Sequence, residues 1–191
     1  MKIFGLTGSI ATGKSFAAKF FITQDIKVFC ADTEVARLLT LPEVIALIKN
    51  CKTLSPVVKE EKIDKKTLSQ LVFSNLNNLH LLEDILHPLV QKQAEKFIAT
   101  NQNEKFLVLE IPLFFEKNYQ KYCHKVITTH CSSAAQKYRA LNRLNLDAEK
   151  YNFILKQQMP ISHKALLTDY IVYTDISDQY TNKQLEEILG S

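Results

Sequence analysis

Glycine is scarce in this 191-residue chain: there are four, three of them between residues 5 and 13, and the only one after Gly13 is Gly190. No D-x-x-G turn can therefore form, and no N-K-x-D element occurs, which excludes the switch and guanine-reading parts of a signalling GTPase. Proline is also sparse, and neither a repeat nor a low-complexity tract interrupts the chain, so no flexible interdomain linker is expected. The four cysteines, Cys30, Cys51, Cys123 and Cys131, form no C-x-x-C pair and are too few for a disulfide framework. No apolar run approaches a membrane span, and the first residues run straight into a strand with no room for a secretory h-region, so a cytoplasmic protein with no membrane partner is expected. Arginine is rare too, with Arg37, Arg139 and Arg143 against 21 lysines. The net charge of +4 is spread out, and its densest stretch, Lys59 to Lys66, is broken by Glu60, Glu61 and Asp64. That pattern reads as a solvated face, and no nucleic-acid partner is expected.

What is present concentrates at the N-terminus. Lys2 to Leu6 is a short apolar run that reads as a buried strand, and Lys14 to Phe21 repeats its apolar residues at helical spacing. Between them Gly8 to Ser15 fits G-x-x-x-x-G-K-[ST], in which glycines let successive N–H groups turn inward on a nucleotide's phosphates. Lys14 adds a point charge, Ser15 a hydroxyl for Mg²⁺, and a helix starting near Gly13 turns the positive end of its dipole toward the anion. A plain glycine turn does not need a Lys-Ser pair at its exit.

Further along, Ile26 to Cys30, Phe106 to Ile111, Lys125 to Thr129 and Tyr170 to Tyr173 read as four more strands. Between the second and third, some 70 residues read as helices, the longest spanning Leu76 to Ala99 with an interruption at His87-Pro88. That is far beyond a usual crossover and implies an inserted helical subdomain. Ser132 to Leu144 and Asp147 to Gln158 are helical, and the first carries Arg139 and Arg143 at i, i+4 on one face. The expected fold class is α/β: a parallel, five-stranded sheet flanked by helices, with nucleotide at the carboxyl ends of its strands.

Asp32 follows the second strand, at the same sheet edge as the phosphate loop, where a carboxylate can take the proton of an attacking hydroxyl. An Asp ahead of a helical run is also a good N-cap, and the two roles are compatible. Glu110 ends the third strand, where a carboxylate can hold a Mg²⁺-bound water or simply be solvated, and Glu116 follows the apolar Pro112-Leu113-Phe114-Phe115. On spacing alone His87-Pro88 reads as a helix stop with an exposed imidazole. Cys123-His124 and His130-Cys131 suggest zinc only superficially, because the strand between them holds the pairs about 20 Å apart.

Taken together these segments resemble the dephospho-coenzyme A kinase family. The resemblance rests on G-L-T-G-S-I-x-x-G-K-S at Gly5 to Ser15, A-D-x-x-x-x-R at Ala31 to Arg37 and L-E-x-I-L-H-P-L-V at Leu82 to Val90. It continues with E-I-P-L-F-F-E at Glu110 to Glu116, Q-x-x-R-x-x-x-R at Gln136 to Arg143 and I-L-x-x-Q-M-P at Ile154 to Pro160. It implies a P-loop kinase fold in one kinase domain, with a core of residues 1–32, 103–135 and 161–191, a coenzyme-binding insertion over 33–102 and a lid over 136–160. The implied reaction moves the γ-phosphoryl group of ATP to the ribose 3′-hydroxyl of dephospho-coenzyme A, with Mg²⁺, in a monomer or weak homo-oligomer.

On that resemblance Asp32 is the general base, with Lys14 and Arg139 also in the chemistry. Gly8, Ala11, Thr12, Gly13, Lys14, Ser15, Phe16, Arg139 and Arg143 hold ATP, Ser15 holds the metal, and Thr7, Asp32, Arg37, His87 and Glu116 meet the acceptor. His87 thereby gains a role that its spacing alone does not give it. The chain departs from the family pattern at Cys30, where a first Asp is usual, at Phe16, where a second hydroxyl is usual, and at Thr168 before Asp169, where Ala is usual. Another small P-loop kinase, acting on a nucleotide or a sugar acid, keeps the loop and lid but leaves the His87-Pro88 insertion unexplained.

Overall fold

The computed structural model describes residues 1–142 and 146–190. In chain order the elements are β1 (Lys2–Thr7), α1 (Lys14–Thr23), β2 (Lys27–Cys30), α2 (Ala31–Leu38), α3 (Pro42–Asn50), β3 (Val58–Lys59), β4 (Lys62–Ile63), α4 (Lys65–Ser74) and α5 (Leu76–Thr100). There follow β5 (Phe106–Glu110), β6 (Lys125–His130), α6 (Ser133–Leu141), α7 (Ala148–Gln157), α8 (Ile161–Leu166), β7 (Tyr170–Tyr173) and α9 (Asp178–Leu189). The chain divides into two compact units, residues 1–30 with 101–191, and residues 31–100.

The first unit is built on a parallel sheet of order β2-β5-β1-β6-β7. Its central strand shows how the sequence sets the two faces, since side chains alternate along a strand. Phe4 and Leu6 point to one face, where Ala17, Phe20 and Phe21 of α1 and Leu185 and Ile188 of α9 close over them. Gly5 and Thr7 point to the other: a Cβ on Gly5 would lie 2.3 Å from the Phe114 ring, so the missing side chain is the space that Phe114 fills. Because all five strands run the same way, the loops after β1, β5, β6 and β7 gather at one edge, the carboxyl edge. Register fixes who is level there: Glu110 lies opposite Leu6 on one side and Cys30 on the other.

The second unit is helical except for β3 and β4, a two-residue antiparallel pair. Its spine is the 25-residue α5, which buries Asn78, Leu82, Leu86, Val90 and Ala94 in a stripe at every fourth residue. Leu82, Leu86 and Val90 each contribute roughly 1.5–3 kcal/mol of burial, and Ala94 less. The helix break expected at His87-Pro88 is absent: α5 runs through Pro88, and His87 is a half-buried helical residue. Pro88 and Asp84, whose carbonyl loses its intrahelical donor, both lie on the exposed side, where water can replace the bond. The β3–β4 turn places Glu60 and Glu61 at φ 48° and 55°. Such a turn usually carries glycine or asparagine, so nothing in the sequence marks this one.

Candidate active site

The loop from Gly8 to Gly13 leaves β1 at the carboxyl edge and enters α1 with three left-handed or positive-φ residues, Gly8 at 149°, Ala11 at 60° and Gly13 at 96°. At Gly8 a side chain is excluded by space as well, since a Cβ there would lie 2.3 Å from Thr129 Oγ1 and 2.6 Å from Thr12 Oγ1. Those two hydroxyls are 2.9 Å apart, and Thr12 Oγ1 also donates to the Ser9 carbonyl at 2.8 Å. The buried Lys14 ammonium donates to the carbonyls of Gly8 and Ser9 at 3.0 and 2.9 Å, so the loop is folded around its own lysine. Unlike α4, α6, α7 and α9, which start on an Asp or Ser side chain, α1 has no side-chain cap. A helix start not closed by a capping side chain is suited to an anion.

A cavity of about 350 Å³ opens at this helix start, lined by Ala11, Gly13, Ser15, Phe16, Arg139, Thr174 and Asp178. Arg139 of α6 is held rigidly at its wall: Nη1 donates to Thr174 Oγ1 at 2.9 Å and Nη2 to the Thr174 carbonyl at 2.5 Å. Thr174 Oγ1 in turn donates to the Thr12 carbonyl at 2.8 Å, which fastens the arginine to the loop. A fixed guanidinium beside uncapped helix amides makes a site for a polyanion. Thr174 and Asp178 were not legible as site residues, since neither belongs to a motif; only the parallel order, which puts the end of β7 at the loop edge, could have pointed to them.

Ser15 Oγ donates to Glu110 Oε1 at 3.5 Å, and Glu110 is buried. Hydroxyl and carboxylate oxygens are hard donors that suit Mg²⁺, whereas the thiol of Cys30, level with Glu110, does not. Among the described residues no group of three His, Cys, Asp or Glu side chains could hold a metal. A Mg²⁺ held by Ser15, with Glu110 on one of its bound waters, would take its remaining ligands from phosphate and water, as that ion does beside nucleotides.

The other expected residues sort by unit. In the first, Thr7 Oγ1 donates to the Pro112 carbonyl at 3.3 Å. Glu116 Oε1 accepts from the Met159 N–H at 2.7 Å and lies 3.0 Å from Lys164 Nζ. Burial pushes the Lys164 ammonium below its ordinary range, against the pull of Glu116. Arg143 lies outside the described residues. Asp32, Arg37 and His87 belong to the second unit. Asp32 is exposed and sits inside the first turn of α2, so it is a helical residue and not the N-cap. Arg37 makes a two-pronged pair with Glu34 one turn earlier, through Nε at 3.0 Å and Nη2 at 2.6 Å. His124 and His130 lie at opposite ends of β6, and His124 Nδ1 accepts the Ile3 N–H at 3.0 Å.

The family model for dephospho-CoA kinase matches residues 2–179. A dephospho-CoA kinase of Bartonella quintana is 39% identical over 191 residues, which covers 99% of this chain and 97% of that one. Among solved structures, a Thermus thermophilus protein superposes with a TM-score of 0.82 at 25% identity, covering 99% of this chain and 96% of the other. The dephospho-CoA kinase from Campylobacter jejuni gives 0.71 at 29% identity, covering 100% and 96%.

Proposed function

This chain belongs to the dephospho-CoA kinase family, and we infer that it transfers the γ-phosphoryl group of ATP to the ribose 3′-hydroxyl of dephospho-coenzyme A, completing coenzyme A. The observation that carries the reading is the Arg139-walled cavity at the phosphate loop, in a chain that the family matches along residues 2–179. No helix among the described residues is long and apolar enough to cross a membrane.

Phosphoryl transfer asks a protein for alignment and charge neutralisation more than for covalent help. The amides from Gly8 to Ser15 cradle the phosphates, and Lys14 exchanges the carbonyls of Gly8 and Ser9 for phosphate oxygens. Arg139, held by Thr174, meets the charge on the transferring group, and Arg143 of the same segment joins it. Ser15 and, through a bound water, Glu110 would hold Mg²⁺, which would supply counter-charge to the phosphates. Asp32, two residues beyond the end of β2, takes the proton of the attacking 3′-hydroxyl. Arg37 and His87, in the helical unit of residues 31–100, receive the coenzyme, with Thr7 and Glu116 supporting the acceptor from the core. Residues 136–160 act as a lid that keeps water from the phosphates.

The test is product formation. Purified protein with Mg²⁺ and ATP is expected to convert dephospho-coenzyme A to coenzyme A and ADP, and to leave AMP and gluconate untouched. A folded sample that makes no coenzyme A overturns the assignment.

A further inference from the structure

Ile10 sits on the phosphate loop with both of its main-chain groups taken by side chains far along the chain. Its N–H donates to Gln158 Oε1 at 2.9 Å, and its carbonyl accepts from Gln136 Nε2 at 2.8 Å. The two amide orientations are dictated by the partners, because a peptide N–H can only donate and a carbonyl can only accept. Gln136 is 8% exposed and stands three residues before Arg139 on α6, so it shares a helix face with the arginine at the cavity. Gln158 follows α7, and its neighbour Met159 is anchored by the Glu116 carboxylate. Around the loop, Ala11, Ala140 and Tyr151 form a small buried cluster on which Ile10, Leu146 and Leu155 pack.

The residue after Ile10 explains why such a clamp is needed. Ala11 holds φ at 60°, a left-handed conformation without glycine's freedom, and such a turn persists only when its surroundings over-determine it. If the Ile10 peptide rotated, the loop would relax and a carbonyl could point at the bound anion. We propose that Gln136 and Gln158 are positioning residues for the ATP phosphates: by gripping the two sides of Ile10 they lock the Ala11 turn and keep the loop amides aimed at the anion. This rests on the reading that ATP occupies the loop. The two glutamines also connect α6 and α7, the helices of the lid segment, directly to the loop.

The test uses the opposite hydrogen-bonding sense of the two sites. Glutamate in place of glutamine keeps the acceptor and loses the donor, with the same added charge at either position. Gln158→Glu therefore preserves the bond to the Ile10 N–H, while Gln136→Glu sets a carboxylate against the Ile10 carbonyl. A non-hydrolysable ATP analogue, titrated calorimetrically into the intact chain, is expected to bind Gln158→Glu within about 3-fold of the starting protein. Gln158→Leu should bind roughly 10-fold more weakly, and Gln136→Glu at least as weakly as Gln136→Leu. In steady state Gln158→Leu, Gln136→Leu and Gln136→Glu should raise KM for ATP, Gln158→Glu should not, and KM for dephospho-coenzyme A should stay unchanged in all four. The same rank order of Glu and Leu at both positions, or all four variants within 3-fold of the starting protein, overturns the proposal. If either leucine variant does not fold, the two glutamate variants decide it alone. The calorimetry contains no acceptor, so a failure to make coenzyme A counts against the function and not against this inference.

Discussion

Glu116 and Lys164 form an ion pair, 3.0 Å between Nζ and Oε1, in which the lysine is wholly withdrawn from solvent. The ammonium also donates to the Pro112 carbonyl at 2.6 Å, and the carboxylate also accepts from the Met159 N–H, so one buried pair ties the segment after β5 to α8 and to the chain just beyond α7. Glu116 Oε2 is buried without a hydrogen-bond partner, which makes the carboxylate dependent on its cation. Removing one member of such a pair leaves an uncompensated buried charge, typically a loss of about 3–5 kcal/mol. Lys164→Met is therefore expected to lower stability by roughly 3 kcal/mol in urea unfolding, and adding Glu116→Gln to recover part of it. A single-variant loss below about 1 kcal/mol would show that the pair is too well solvated to matter.

A second expectation concerns Gly5. Because its missing Cβ is the space filled by the Phe114 ring, Gly5→Ala overpacks the sheet face and should cost about 1–3 kcal/mol. Phe114→Leu in the same chain should restore part of the loss, and additive effects of the two changes would show that they do not share this space.

Acid should loosen the β6–β7 edge and the start of α6. Burial pushes the Asp169 carboxyl up, but Lys125 at 2.8 Å and the Val126 N–H at 2.8 Å outweigh it and leave the group below its ordinary range. The Ser132 N–H, at 2.7 Å, likewise holds Asp175 down. For a carboxylate whose folded pKa lies below the unfolded one, the stabilisation is full above the unfolded value, about 3.9, and is lost as pH falls through the folded value. Thermal melts from pH 7 to pH 3 should show Asp169→Asn losing less stability across that range than the unsubstituted chain, and parallel curves would refute it.

The sheet was legible because its strands carry short apolar runs, of which the three central ones, β5, β1 and β6, are buried on both faces. The phosphate loop was legible because its chemistry needs fixed residue types at fixed spacing. By contrast, Gln136 and Gln158 stand in two of the motif segments without a role there, and only the fold reveals that both reach Ile10. Lys164 gives no signal either, since a lysine in a short polar helix is ordinarily exposed. The β3–β4 turn and the proline inside α5 were missed for one reason: each is a local preference overridden by its surroundings.

Arg139 tests whether fork geometry or charge is what the cavity uses. Both terminal nitrogens are engaged by Thr174, which fixes the plane of the guanidinium. A lysine keeps the charge and cannot reproduce the two parallel bonds. Arg139→Lys should lower kcat by roughly 10-fold or more with a smaller change in KM for dephospho-coenzyme A. Unchanged kcat would reduce the arginine's role to charge alone.

Asp32 separates two roles that one substitution cannot. It lies in the first turn of α2, where a negative charge is worth about 0.3–1 kcal/mol to the helix, and it is the proposed base. Asp32→Asn removes both the charge and the proton acceptor, and should lower kcat by about 10²-fold or more while leaving affinity for ATP nearly intact. Asp32→Glu restores the charge to the helix end but moves the carboxylate by one methylene. If Asp32 is the base, Glu should recover the stability lost in Asn without recovering the rate, because proton transfer requires the carboxylate within hydrogen-bond reach of the hydroxyl. Parallel recovery of melting temperature and kcat in Asp32→Glu would make Asp32 a helix-end charge and move the search for the base elsewhere.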